Sequence, residues 1–223
     1  VGDGDSDSTL VTGGKWGMFR NGNTGYGNAC STHVNLGVDG ITGKSGTNNK
    51  YSAVTGGLGN IAEGRFATVG GGSYNLAHED FSSVGGGQSN TANGHTSTVS
   101  GGMINNASGF YSTVAGGGHN TASGNSAAIG GGSENQAIAA MSTVAGGSQN
   151  RASGYQSVVG GGYSNTAFGA YSAVPGGYDV DAVGAYSFGF GRGVDIISDY
   201  NSQFYSAEYP GTLTVVGEIR ADN

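Results

Sequence analysis

From Tyr51 to Ala185 the hydrophobic and polar positions recur every 15 residues, nine times, without an insertion. The fourth position of each copy is Val54, Val69, Val84, Val99, Val114, Ile129, Val144, Val159 or Val174, and the twelfth is alanine from Ala62 to Ala182. Serine holds the second position in seven copies, with Ala67 and Ala127 in the others. Asparagine holds the tenth in eight, from Asn60, Asn75, Asn90, Asn105 and Asn120 to Asn165, with Val180 in the ninth copy. The S-x-V element, as in Ser112-Thr113-Val114, predicts a short extended stretch because β-branched residues fit a pleated strand. The N-x-A element, as in Asn120-Thr121-Ala122, predicts a second. Between them a glycine pair, Gly56-Gly57 to Gly176-Gly177, predicts a tight corner. A further glycine in seven copies, from Gly64 to Gly184, predicts the return corner, with Glu79 and Ala139 replacing it.

One copy is too short to bury a core, so the copies must stack. The expected fold is all-β: a parallel β-roll or solenoid of 15-residue coils, spaced as neighbouring strands are. At about 4.8 Å per coil, nine coils make a rod of about 43 Å. The valine and alanine columns face inward, a large side chain opposed to a small one. The asparagine column reads as a structural ladder, bonding side chain to side chain or capping the corner backbone. Burial per coil is thin against an ordering cost of about 1–2 kcal/mol per residue. Association of several rods would cover further columns, including the aromatic first positions Tyr51, Phe66, Phe81, Tyr111 and Tyr171. Residues 1–50 fall out of register and are expected to cap the roll, which spans 51–193 with a partial tenth copy; 194–223 are expected to form a C-terminal β cap or trimer lock.

Composition narrows the class. The chain has 223 residues, 48 of them glycine and only 10% charged. Without a Gly-X-Y period this is not collagen, and glycine at this density disfavours helices. A net charge of -7 leaves no basic patch for phosphates, so nucleic acid is not an expected partner. No apolar run approaches the ~20 residues of a membrane-spanning helix, so no direct membrane insertion is expected. Abundant Ser, Thr, Asn and Gly suit an extracellular surface. The chain opens at Val1 with no signal peptide, as expected of a processed or truncated product. Cys30 is the single cysteine and reads as a small buried thiol or a contact between neighbouring subunits.

The phrase Ala107-Ser108-Gly109-Phe110-Tyr111-Ser112-Thr113-Val114-Ala115-Gly116, found again at 152–161 and 167–176, resembles the head repeats of trimeric autotransporter adhesins, the YadA-like left-handed parallel β-roll. It is also similar to repeats of phage tail fibres. The resemblance covers about 60% of the chain. It implies a homotrimer of side-by-side rolls at a cell or virion surface, with the core shared at the trimer axis. The chain departs from the family phrase in carrying S-x-V-x-G-G, so the founding adhesin's collagen binding does not carry over.

Candidate chemistry is sparse. The expected function is a non-enzymatic extracellular fibre or adhesin segment, on a bacterial cell or a virion tail fibre, that presents a surface to a host glycan or protein. Corner aromatics Tyr74, Phe110, Tyr155, Tyr163 and Tyr178 are the candidate binding residues, as platforms for sugar rings or protein partners. Asp3, Asp5 and Asp7 resemble the start of a calcium loop but lack its glycine and closing acid, so calcium is the one cofactor considered. His33, His78, His95 and His119 fall in different columns or outside the repeat, and no His and Asp are tied to a serine, so no zinc set or nucleophile motif arises. An ice-binding solenoid would need a regular threonine array, whereas Thr68, Thr98, Thr113 and Thr143 are interrupted by Ala53, Ser83, Ala128, Val158 and Ala173. A structural filament subunit without a receptor is the other alternative.

Overall fold

The computed structural model describes residues 17–19, 24–25, 33–43, 51–198 and 202–206. Among them every regular element is a β-strand, and the strands form a parallel β-solenoid of about ten stacked coils. Each of the first eight repeat coils contributes two strands of two residues, such as Thr113–Val114 and Thr121–Ala122. Each strand pairs in parallel with its equivalents in the coils before and after: Val114 lies between Val99 and Ile129, and Ala122 between Ala107 and Ala137. The ladders follow the sequence columns one for one. A valine wall (positions 2–5) therefore faces an alanine wall (positions 10–13), joined by a glycine corner at positions 6–9 and a return corner at 14, 15 and 1.

Outward and inward positions alternate along both walls, as the two-residue period of a strand requires. Positions 2, 4, 10 and 12 are buried in every repeat coil, and valine and alanine build one continuous core. Each chain thus encloses a complete, narrow core of its own.

The first and last described coils fill the same space differently. Before the repeat, Val34–Asn35 pairs with Ala53–Val54, and Ile41–Thr42 with Ile61–Ala62. There Asn35 occupies the valine column and Gly40 the asparagine column, and the Asn35 amide reaches across to the Gly40 carbonyl at 2.8 Å. The amide is delivered from the opposite wall. Gly17–Phe19 and Thr24–Gly25 add one further rung to each ladder. At the far end Phe188–Ile196 continues the stack one residue short, with a register shift opposite Ala173 to Gly176. Its Gly189 stands in the valine column and Ile196 in the alanine column; a Cβ on Gly189 would meet the Ile196 side chain. Large and small have exchanged walls. Ser202–Ser206 adds a further parallel strand.

Candidate attachment surface

The corners carry the exposed aromatic residues, and their backbone explains how. At the glycine corner, position 7 holds φ between 81° and 91° from Gly57 to Gly162. A Cβ at Gly117 would strike the Gly132 carbonyl of the next coil and the Asn120 amide, so glycine is required there for conformation and space together. Position 9 and position 1 are also left-handed, yet they carry ordinary side chains: Tyr74, Ile104 and Gln149 at one, Tyr51, Phe66 and Tyr111 at the other, with φ of 56° to 62°. Such a residue costs roughly 1–2 kcal/mol for an L side chain. From Tyr74 onward a bond between coils holds such residues in place, the N–H donating to a carbonyl one coil back: Tyr74 to Leu58 (2.9 Å), Phe81 to Arg65 (2.8 Å), Tyr171 to Tyr155 (2.8 Å).

The return corner corrects one expectation. The position-14 glycine has no positive φ; it accepts the β-turn bond through its carbonyl, as in Ser97 N–H to Gly94 at 3.0 Å, and the left-handed residue is position 1. Glycine is favoured at position 14 because a Cβ on Gly109 would meet the Gly124 carbonyl of the next coil. Close approach of stacked backbones, not chain reversal, selects it.

The asparagine column is consumed by the fold. In the fourth coil Asn105 Nδ2 donates to the Gly101 carbonyl of its own corner (3.0 Å) and to the Gly117 carbonyl of the next coil (2.9 Å). Its Oδ1 accepts the backbone N–H of Asn120 at 3.0 Å. The pattern repeats from Asn60 to Asn165, and Val180 N–H closes the series on Asn165 Oδ1 at 3.1 Å. Backbone capping dominates; Nδ2 to Oδ1 bonds within the ladder join Asn75 to Asn60 and Asn165 to Asn150.

The five candidate aromatics do not form one patch. Phe110 and Tyr155 lie on the return corner at position 15, whereas Tyr74, Tyr163 and Tyr178 lie on the glycine corner, the other edge of the rod. Tyr163 and Tyr178 stack on each other with centroids 5.4 Å apart, and the Arg192 guanidinium sits 5.1 Å from the Tyr178 ring. Phe110 stacks against His95 at 5.2 Å, and Tyr155 meets Tyr171 edge-on at 5.6 Å. Each of these four rings is paired with a neighbouring ring, and all four remain exposed. Tyr74 differs: its ring lies over Gly59, it makes no ring pair among the described residues, and it is 61% exposed. Position 1 adds a ladder that single-residue reading missed, Tyr51 on Phe66 on Phe81 at 5.0 Å per step. The signal was present in the spacing, since stacked coils place every fifteenth side chain at ring-stacking distance.

Charge is confined to one side. Positions 1 to 8 hold no Asp, Glu, Lys, Arg or His in any of the nine copies. Every charged residue of the repeat lies on the alanine wall, at its edge of the glycine corner, or at position 14 or 15 of the return corner. The Arg65 guanidinium and backbone N–H bond Asp80 at 2.6 to 2.8 Å. Partial burial pushes the Asp80 carboxyl up, but the Arg65 bonds and charge outweigh it and hold the pKa below the usual range. His78 Nδ1 lies 2.6 Å from Glu63 Oε2. At the other end Asp181 is raised by burial, and further by Asp195 and Asp179, against a lowering bond from Thr166. Among the described residues no group of three or more His, Cys, Asp or Glu is placed to hold a metal. Asp3, Asp5 and Asp7 lie outside the described residues. No protein-family model matches the chain, nor does any curated protein.

Proposed function

We propose that the chain is a segment of a non-enzymatic extracellular attachment fibre. Three copies lie side by side as a rigid rod and present aromatic and polar edges to a glycan or protein of a host surface. The observation that carries this reading is the segregation of charge. A monomeric rod in water has no reason to keep one whole wall free of charged side chains, whereas a wall packed against copies of itself does. The outward positions of the valine wall, 3 and 5, hold only small or β-branched residues and one proline, such as Thr98 with Ser100 and Thr113 with Ala115. Over about ten coils that wall is about 48 Å long and about 13 Å wide. Its area is of the same order as the roughly 800 Å² each partner contributes to a standard interface. Flat, uncharged and repetitive, it suits its own copy.

Native mass by light scattering tests the reading. A species near three times 22.0 kDa is expected. The double variant Thr98→Lys/Thr143→Lys places charge on the valine wall and is expected to give monomer with unchanged β circular dichroism. Thr121→Lys on the alanine wall is the control and should leave the trimer intact. A monomeric parent chain would sink the trimer.

A further inference from the structure

The asparagine ladder ends at Asn165; Val180 takes its column in the ninth coil, and Val194 pairs with Val180 in the tenth. From the eighth coil to the tenth, tyrosines pair along each corner. On the glycine corner Tyr163 stacks on Tyr178 with centroids 5.4 Å apart and planes 16° from parallel. On the return corner Tyr171 stacks on Tyr186 at 4.8 Å and 8°. All four side chains are exposed. Towards the other end the stacks run Tyr51, Phe66, Phe81 and His95, Phe110, so among the described residues only these last coils stack tyrosine on tyrosine.

We propose that Tyr163–Tyr178 and Tyr171–Tyr186 are oxidative coupling sites, each yielding a dityrosine bridge between adjacent coils where the amide ladder stops. The co-reactant is a one-electron oxidant, such as hydrogen peroxide acting through a haem peroxidase. Each phenol gives up one electron and one proton. The two phenoxyl radicals join through ring carbons ortho to their oxygens, forming one C–C bond. The hydrogen on each coupled carbon shifts to the phenol oxygen, restoring both aromatic rings. The pair has then lost two electrons and two protons, which reduce one peroxide to two waters. Stacking holds the two radicals side by side within one chain, where all four rings are exposed to the oxidant and have room to turn. The Tyr163–Tyr178 bridge, on the glycine corner, stands apart from the attachment reading; the Tyr171–Tyr186 bridge, on the return corner, forms where packing of the rods leaves that corner open.

The experiment treats the intact chain with peroxidase and peroxide, digests it with trypsin and weighs the peptide of residues 152–192, bounded by Arg151 and Arg192. That peptide has no Met, Trp or Cys, so its mass change reports tyrosine chemistry. The expected result is loss of two hydrogens per bridge, with the blue fluorescence of dityrosine. Cleavage on the amino side of Asp179 and Asp181 separates the pairs. Tyr163 and Tyr178 stay in one fragment, and Tyr171 and Tyr186 fall in two that remain joined only if bridged. Tyr178→Phe keeps a stacked ring and should abolish the first bridge alone; Tyr186→Phe should abolish the second alone. An unchanged peptide mass, while free N-acetyltyrosine couples in the same tube, would overturn the proposal. So would bridges that form between chains, or that persist in the matching Phe variant.

Discussion

Asn105 illustrates how much one side chain of this rod does. Its amide satisfies two corner carbonyls in successive coils, and its carbonyl oxygen satisfies the next N–H. Asn105→Ala leaves the Gly101 carbonyl and the Asn120 N–H without their partner and takes one of two donors from the Gly117 carbonyl, which keeps the Met103 N–H. Each group left unpaired costs about 1–3 kcal/mol. The expected loss is about 3 kcal/mol in denaturant unfolding, with Asn105→Asp little better because a carboxylate cannot donate. Ser112, buried in the second column, is the contrast. Its hydroxyl has no partner, and Ala67 and Ala127 already serve at the same position, so Ser112→Ala should stay within about 0.5 kcal/mol of the parent. The asparagine column was legible in the sequence because an amide in nearly every copy, next to a glycine pair, has few other uses. The left-handed backbone at Tyr111 and Tyr74 was not. Single-residue preference speaks against an aromatic at positive φ, and only the bond to the neighbouring coil makes it tolerable.

Between the walls, the core is a conserved sum rather than a fixed pair of columns. Val and Ala face each other in the repeat coils, Gly189 and Ile196 in the last. Val114→Ala should cost about 2 kcal/mol through the cavity it leaves. Ala122→Val should cost about 1–3 kcal/mol through overpacking. Combined, the volume is restored with its walls exchanged, so the double variant should lose clearly less than the sum, as a double-mutant cycle would read. The inward columns could be read from periodicity, but the exchange at Ile196 could not, because it depends on which residue faces which. The acidic side chains outside the walls give opposite pH signatures. The depressed pKa of Asp80 contributes stability above its unfolded value near 4, lost as pH falls through the lower folded value. The raised pKa of Asp181 works the other way. Stability falls as pH rises from about 4 through the higher folded value. Unfolding midpoints followed from pH 3 to 7 should therefore find Asp80→Asn weaker and Asp181→Asn stronger than the parent at neutral pH, both differences shrinking in acid.

At the scale of the whole rod, charge segregation bears on where the proposed attachment would occur. If the uncharged valine wall turns inward against other copies, the return corner at its margin is drawn toward the interface, while the glycine corner and the charged alanine wall remain outside. The five aromatic candidates then have two different jobs. Phe110 and Tyr155, on the return corner, then belong with rod-to-rod packing, whereas Tyr74, packed on Gly59 by one side of its ring and otherwise exposed, belongs with the outer edge. Tyr163 and Tyr178 share that edge but spend ring faces on each other. Tyr74→Ala should therefore reduce binding of the fibre to cells or to an immobilised glycan panel at least tenfold, with native mass unchanged. The pair Phe110→Ala/Tyr155→Ala should instead lower the trimer's resistance to dilution and leave the affinity of the remaining trimer near that of the parent. Equal losses of binding from both edges, at constant mass, would mean that the return corner faces the partner and that the copies meet through some other wall.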